Sequence, residues 1–195
     1  MGKIYYIIGK SSSGKDTIFK ELLARIPQLK RVVPYTTRPV REGEENGVEY
    51  FFTGEEQVQK LEQAGRIIEL RAYDTACGVW KYFTADDGQV DLGAADYLMI
   101  GTLEAYEKMI RYYGADNILP LYVEVEDGER LARALARERR QAQPKYRELC
   151  RRFLADEEDF SEEKLRGLGI HRRFCNEDIE HWLEEITEVI YNGKL

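Results

Sequence analysis

The chain has 195 residues and a mass of 22.8 kDa, with 43% hydrophobic residues, 33% charged residues and a formal net charge of −7. This composition is typical of one globular domain and excludes collagen, low-complexity disorder and a coiled coil. No apolar run approaches the roughly 20 residues that a membrane-spanning helix needs, so we expect no membrane partner. Three scattered cysteines without a CxxC pair predict no structural disulfide and a reducing, cytoplasmic location.

The positive charge of this acidic chain is concentrated in one segment. Residues 127–152 hold eight arginines and one lysine against four acidic residues. A basic segment inside an acidic protein favours a compact anion, such as a nucleotide phosphate, over a long polyanion. We therefore expect small-molecule partners and no nucleic acid.

The apolar pattern predicts strands that alternate with helices. The unbroken run at 3–8 is typical of a buried parallel strand, and the helical spacing at 15–26 ends at Pro27. Residues 34–47 combine proline and glycine with charges and predict a loop. We further predict strands at 48–52, 67–70, 97–100, 119–125 and 172–175, and helices at 55–64, 103–113, 129–142, 145–158 and 178–191.

This alternation predicts an α/β fold with a parallel core sheet, in a single domain over 1–195. The short β-rich stretch at 34–85 breaks the rhythm and is interpreted as a small inserted lobe. The arginine-rich helices at 128–155 are interpreted as a lid. The core then consists of residues 1–33, 86–127 and 156–195.

A phosphate-binding loop is predicted between the first strand and the first helix. The run GKSSSGKDT at 9–17 matches G-x-x-x-x-G-K in the strand–loop–helix context that this motif requires. Glycines let the backbone wrap a phosphate, the helix N-terminus adds partial positive charge, and Lys15 adds a full charge. The motif predicts a three-layer P-loop NTPase core, with phosphate contacts from Gly9, Ser11, Ser12, Ser13, Gly14, Lys15, Asp16 and Thr17.

Asp16 departs from the motif, because a serine or threonine hydroxyl normally follows the lysine and reaches Mg²⁺. Three alternatives stay open: Asp16 contacts the metal itself, it points away while Thr17 helps to hold phosphate, or the site has lost triphosphate handling. We take Asp16 as the predicted metal-binding residue and Mg²⁺ as the expected cofactor of ATP.

The run YTTRPVREGEENGVEYFF at 35–52 resembles the nucleoside-monophosphate-binding signature of guanylate kinases. The run GRIIE at 65–69 is similar to the stretch of that family whose acid reads guanine. The resemblance implies that the insert binds the monophosphate, with GMP contacts from Arg38, Arg41, Tyr50, Glu69, Tyr82 and Thr84. It also implies lid contacts from Arg133, Arg137 and Arg152, and Asn176 near the donor adenine.

The residues support this chemistry independently. Arg38 and Arg41, three apart in a loop, can hold a doubly charged phosphate together with the Tyr50 phenol. A carboxylate such as Glu69 accepts two parallel hydrogen bonds from guanine N1–H and its 2-amino group, which adenine cannot offer.

The helical arginines have two interpretations. Arg133, Arg137 and Arg140 are spaced on one helix face, where a mobile lid would stabilise charge on the transferred phosphoryl group. Alternatively, these arginines form salt bridges within a helical hairpin, with partners at Glu129, Glu138 and Glu148.

Three further departures from the family pattern concern the acceptor and the metal. Pro34 stands where guanylate kinases place a serine, and the run at 77–84 differs from the family's G-N-Y-Y-G-T/S. The segment 98–104 lacks the family's D-x-D/E acids, which assist Mg²⁺ and guanine, and has no acid before Glu104.

The sequence therefore predicts ATP- and Mg²⁺-dependent phosphoryl transfer to GMP or dGMP, giving GDP and ADP, by a divergent guanylate kinase that is a monomer or homodimer. Lys15, Arg38, Arg133, Arg137 and Arg152 are the predicted catalytic residues. The alternatives are a kinase of the same architecture with another acceptor, or a non-catalytic module that binds a nucleotide or a protein.

Overall fold

The computed structural model describes residues 1–41, 43–75, 78–175 and 178–194. In chain order, the described residues form β1 (Ile4–Gly9), α1 (Lys15–Arg25), β2 (Lys30–Arg31), β3 (Tyr35–Thr36), β4 (Phe51–Phe52), α2 (Glu55–Gln63), β5 (Ile67–Thr75), β6 (Gly78–Ala85), β7 (Tyr97–Ile100), α3 (Leu103–Tyr113), β8 (Ile118–Glu124), α4 (Asp127–Arg139), α5 (Tyr146–Asp159), α6 (Glu162–Gly167), β9 (Arg173–Cys175) and α7 (Ile179–Asn192).

A parallel sheet forms the core of the molecule. Its strand order is β2-β7-β1-β8-β9, and each neighbouring pair is parallel. β1 lies at the centre, and all six of its residues are buried, as expected of an apolar strand that is covered on both faces. The predicted α/β class with a parallel sheet is confirmed.

The two faces of the sheet carry separate hydrophobic layers. Successive side chains of a strand point to opposite faces, so Tyr5 and Ile7 pack in one cluster with residues of α1 and α7. Tyr6 and Ile8 pack in the other cluster, which includes residues of α3. Helices therefore cover both faces, in the three-layer arrangement that the phosphate-loop motif predicts.

A second sheet, in the order β4-β3-β6-β5, lies entirely within residues 35–85. It contains strands that the sequence did not predict: β3 falls in the expected loop, and β5 continues to Thr75 rather than ending at 70. The outer half of β5 is held by antiparallel pairing with β6, while most of its side chains are exposed, so no apolar pattern marks it. The division into core, insert and lid stays a prediction.

The basic segment folds into α4 and α5, as predicted, within a few residues at each end. The short helix α6 was not predicted, because Leu165 is its single buried residue. None of the helices in the described ranges has the length and apolar content that crossing a membrane would require.

Candidate active site

The phosphate loop connects β1 to α1 and depends on residues with unusual backbone angles. Gly14 has φ 87° and Ser12 has φ 63°, both in the left-handed region. A Cβ at Gly9 would lie 2.7 Å from the carbonyl oxygen of Val123, so this position accepts glycine alone. The buried Ser13 supports the loop from beneath. The loop has the strand–loop–helix setting of an anion site.

Lys15 begins α1 and bends back over the loop. Its Nζ donates a hydrogen bond of 3.1 Å to the carbonyl oxygen of Lys10. Burial lowers the pKa of Lys15, and the nearby negative charges of Asp16 and Asp156 oppose that shift. The ammonium group is thus placed at the mouth of the loop, where it can follow a phosphoryl group.

A carboxylate contacts the phosphate loop from α5. Asp156 Oδ2 accepts a hydrogen bond of 2.7 Å from the Ser11 amide. Arg130 is 1% exposed and donates to the Ser11 carbonyl oxygen at 3.2 Å and to Asp156 at 3.4 Å. It also donates to Asp127 at 2.6 Å and to Glu157 at 3.0 Å. Arg130 is therefore the residue that ties α4 and α5 to the loop.

The three predicted lid arginines occupy different environments. Arg137 donates a 3.2 Å hydrogen bond to the hydroxyl of Ser12 and thereby reaches the loop. Arg152 lies in a recess beside Ser12, with its Nε 3.7 Å from Glu148. Arg133 donates to Glu129 of the same helix at 2.8 Å. The structure thus brings two of these arginines to the phosphate loop and holds the third in a helical ion pair.

Asp16 is exposed and lines the central cleft, whereas Thr17 is exposed outside it. In phosphoryl-transfer sites Mg²⁺ takes one or two carboxylates together with substrate phosphates. A single carboxylate beside the loop fits that requirement. The described residues contain no cluster of three or more acidic, histidine or cysteine side chains that could hold a metal ion without the nucleotide.

Glu44 organises the predicted acceptor-phosphate clamp. Arg38, which is 3% exposed, donates to the two carboxylate oxygens of Glu44 at 2.9 Å each. The backbone amide of Arg41 donates to the same carboxylate at 2.9 Å, while the Arg41 side chain is exposed. Glu44 therefore holds the side chain of Arg38 and the backbone of Arg41 in one arrangement.

Aromatic rings surround this clamp. The Arg38 guanidinium lies 5.5 Å from the ring centroids of both Tyr50 and Phe52. Tyr50 packs edge-on against Tyr82, with centroids 5.7 Å apart, and burial raises the pKa of Tyr50. The predicted residues Arg38, Tyr50 and Tyr82 are thus neighbours, with both phenols facing the cleft.

The predicted base-reading residue Glu69 is buried and already has partners. Its Oε1 accepts from the hydroxyl of Thr84 at 2.9 Å and from Arg71 Nη2 at 3.2 Å. Its Oε2 accepts from Arg71 Nε at 2.9 Å. The structure therefore brings the two predicted residues Glu69 and Thr84 together, and Arg71 lies between them and the cleft.

Directly after β7, where the family pattern has an acid, the Tyr6 side chain leaves no room for a side chain at Gly101. A Cβ at Gly101 would lie 2.1 Å from the hydroxyl oxygen of Tyr6. Tyr6 is fully buried in β1, and its hydroxyl has no hydrogen-bond partner among the described residues. The tyrosine fills the space into which a side chain at 101 would extend.

One cleft of about 790 Å³ joins the two halves of the site. The predicted donor side contributes Gly9, Ser11, Lys15 and Asp16 to its lining, and the predicted acceptor side contributes Tyr50 and Tyr82, with Arg71 beside them. The predicted clamp residues Arg38 and Arg41 are not among the lining residues. Pro34 also lines it; the Pro34 carbonyl oxygen accepts from the Phe51 amide at 2.9 Å. Asn176, the predicted contact of the donor adenine, lies outside the described residues, as do residues 42 and 77 of the resemblance runs.

Sequence reasoning missed four residues that the structure places at the site: Glu44, Arg71, Arg130 and Asp156. Arg71 was within reach, since positions 69 and 71 of a strand lie on the same face. Glu44 and Asp156 were not, because their partners depend on how the loop and α5 fold over the site.

The first part of the chain matches a known family. Residues 1–77 match the family model described as guanylate kinase. Guanylate kinase of Neisseria gonorrhoeae is 38% identical over 99 residues, covering 51% of this chain and 46% of the relative. Guanylate kinase of Thermotoga maritima is 41% identical over 68 residues, covering 35% of this chain and 33% of the relative. The predicted resemblance is confirmed over this region, and the matched segments span between about a third and a half of these curated relatives.

The fold extends the similarity to the whole chain. The crystal structure of guanylate kinase from Anaplasma phagocytophilum superposes with a TM-score of 0.68 at 19% identity, covering 100% of this chain and 87% of that one. At this identity the match establishes the fold. The chain therefore has a guanylate kinase fold, with a family match in the part that carries the phosphate loop and the acceptor clamp.

Proposed function

We propose that the protein is an active guanylate kinase that transfers the γ-phosphate of ATP to GMP or dGMP, giving ADP and GDP or dGDP. The observation that carries this proposal is one cleft lined on one side by the phosphate loop and on the other by Tyr50 and Tyr82, the tyrosines beside Arg38. Such a cleft can hold two nucleotides with their phosphates facing each other, as direct transfer requires. The curated relatives of the first part of the chain bear the same name.

The donor side holds the triphosphate. Backbone amides of the loop and the N-terminus of α1 bind the phosphates, and Lys15 offsets charge on the phosphoryl group as it moves. Arg137, already in contact with Ser12, and Arg152 add positive charge from α4 and α5. Mg²⁺, held by Asp16 and the ATP phosphates, would neutralise charge on the triphosphate.

The acceptor side holds the monophosphate. Tyr50 and Tyr82, which line the cleft, bind it together with Arg41 and with Arg38, which Glu44 orients beside the tyrosines. The base lies toward Glu69 and Thr84. The acceptor phosphate oxygen is already nucleophilic, so no strong general base is needed, and the protein acts by alignment, charge stabilisation and exclusion of water. We assign the reaction to the cytoplasm, in keeping with the scattered cysteines.

The test is coupled ADP release from the full chain with ATP and Mg²⁺ against GMP, dGMP, AMP, CMP and UMP. We expect turnover with GMP and dGMP alone in this panel. Turnover with AMP, CMP or UMP at a comparable rate would remove the guanine assignment. Binding of GMP by calorimetry without any turnover would instead identify a non-catalytic nucleotide-binding module.

A further inference from the structure

Arg71 covers the carboxylate that is expected to read the base. The Glu69 side chain is 0% exposed, while the Arg71 side chain is 12% exposed. Arg71 Nε and Nη2 donate to the two oxygens of Glu69 at 2.9 Å and 3.2 Å, in a bidentate pair. Arg71, unlike Glu69, lines the cleft. The group that a bound base meets is therefore the guanidinium.

This pair occupies the edge of Glu69 that guanine would need. Reading N1–H and the 2-amino group requires both carboxylate oxygens to accept side by side, which is the geometry that Arg71 already uses. Oε1 also accepts from the buried Thr84 hydroxyl at 2.9 Å. A guanine that bound Glu69 directly would have to displace Arg71 and leave its guanidinium without its carboxylate partner.

Arg71 is held in place from the opposite side as well. Its Nη1 donates to the hydroxyl oxygen of Thr102 at 3.1 Å, and Thr102 caps the N-terminus of α3 by accepting from Ala105 at 3.2 Å. The charge of Glu69 raises the pKa of Arg71, although burial opposes this effect. Arg71 is therefore a fixed cation that bridges β5 and α3.

Arg71 has hydrogen-bond donors left for a ligand. A guanidinium carries five N–H groups, and three of them have partners among the described residues. One N–H remains on each terminal nitrogen. Two donors on neighbouring nitrogens match the two acceptors, O6 and N7, on one edge of guanine.

The two carboxylates on the neighbouring wall of the cleft, Glu104 and Glu107, are each hydrogen-bonded to a basic side chain of their own helix. The Tyr6 hydroxyl fills the space next to Gly101, where an acid would otherwise extend. The next acid along the chain, Glu104, accepts from Lys108 at 2.7 Å on the face of α3. The acids on this wall of the cleft are therefore already in ion pairs.

We propose that Arg71 reads the acceptor base through O6 and N7, and that Glu69 is a positioning residue that holds Arg71. This inference rests on the proposed kinase function and names its substrate class as 6-oxopurine nucleoside monophosphates. Adenine is rejected because its 6-amino group is a donor that faces a donor. The 2-amino group is not read, so IMP is an acceptor of nearly the same quality as GMP.

The first test compares GMP, IMP, 7-deaza-GMP and AMP by calorimetry on the full chain and by kcat/KM with ATP and Mg²⁺. We expect GMP and IMP to agree within about threefold, whereas 7-deaza-GMP, which keeps O6 and the 2-amino group but lacks N7, loses roughly tenfold, and AMP loses about 100-fold. GMP that binds about 50-fold or more tightly than IMP, with 7-deaza-GMP equal to GMP, would overturn the inference.

The second test uses variants of the pair. Arg71→Ala exposes the Glu69 carboxylate, so the ratio of GMP to IMP in kcat/KM should rise about tenfold or more. Arg71→Lys keeps a charge beside Glu69 and guards against loss of folding; it should weaken GMP and IMP equally. Glu69→Gln should also weaken GMP and IMP equally, because Glu69 acts on the base through Arg71. An unchanged GMP to IMP ratio in Arg71→Ala, or a selective loss of GMP in Glu69→Gln, would overturn the inference.

Arg25→Ala is the matched control, since Arg25 Nη2 donates to both carboxylate oxygens of Glu180, at 2.9 Å and 2.7 Å, and neither residue lines the cleft. It should leave both acceptors unchanged. Binding of GMP and IMP with no turnover would refute the kinase function, while the ratio of their affinities would still test the base preference. Absence of binding by both nucleotides would refute the base-reading assignment itself.

Discussion

The carboxylate of Asp156 in α5 accepts a hydrogen bond of 2.7 Å from the backbone amide of Ser11 in the phosphate loop. That amide belongs to the motif whose N–H groups bind phosphate. A negatively charged side chain therefore stands at a position that a triphosphate uses, and Arg130 holds it there with a contact of 3.4 Å.

Replacing Asp156 should favour ATP binding. Asp156→Asn removes the negative charge but keeps an oxygen that can accept from Ser11, so the KM for ATP should fall by roughly threefold to tenfold. The KM for GMP should stay the same, because the acceptor clamp lies on another part of the cleft. Steady-state kinetics with each nucleotide varied in turn measures both.

Glu158→Gln is the matched control for this substitution, since Glu158 is an exposed acid of the same helix. It should leave both KM values as they are. A KM for ATP that is unchanged or raised in Asp156→Asn would show that the Asp156 contact does not compete with the triphosphate.

Removing the charge of Glu44 should weaken acceptor binding selectively. Glu44→Gln breaks the bidentate pair that orients Arg38, so the KM for GMP should rise about tenfold with little change for ATP. The neighbouring exposed acid Glu45 supplies the control, Glu45→Gln. Equal increases for both nucleotides would point to a general loss of structure instead.

The same pair predicts a dependence of stability on pH. Burial raises the pKa of Glu44, but the hydrogen bonds from Arg38 and from the Arg41 backbone outweigh it, so the pKa lies below its usual value. The pair therefore stabilises the fold above the pKa of the unfolded carboxyl, and this stability is lost as pH falls through the lower folded pKa. Thermal unfolding should separate the wild type from Glu44→Gln by about 1.5–3 kcal/mol at neutral pH and converge in acid. A constant difference between the two curves would contradict this linkage.

Asp16 should be needed for metal-dependent turnover and dispensable for acceptor binding. Asp16→Ala removes the carboxylate that lines the cleft beside Lys15, so kcat with ATP and Mg²⁺ should fall at least about 100-fold. The affinity for GMP, measured by calorimetry without ATP, should be nearly unchanged. Glu21→Ala, an exposed acid of the same helix, is the control. Intact turnover in Asp16→Ala would leave Thr17 or the loop itself as the metal-side group.

The fold and the donor loop could be predicted from the sequence because their signals are local. The apolar run of β1, the glycines around the loop and the periodicity of α3 each act within a few residues. The predicted bounds of β7 and α3 agree with the structure. The second sheet was harder, since β3 has two residues and β5 is extended by pairing with β6 rather than by burial.

The site residues also divide into those with local sequence signals and those that depend on long-range contacts. Motifs identified Lys15, Arg38 and Glu69 by residue type and spacing. The partners of these residues could not be read in the same way, because Asp156 meets Ser11 across 145 positions and Thr102 meets Arg71 across 31. Such contacts depend on the packing of whole elements, and they decide which of the two side chains, Glu69 or Arg71, lines the cleft.

The most direct test of the account follows the phosphoryl group itself. ATP labelled at the γ-phosphate is incubated with Mg²⁺, GMP and the full chain, and the labelled products are separated. We expect labelled GDP from the wild type and from Lys20→Met, which replaces an exposed lysine of α1, and none from Lys15→Met. Label that appears only as inorganic phosphate, or that stays in ATP while GMP binds, would contradict it.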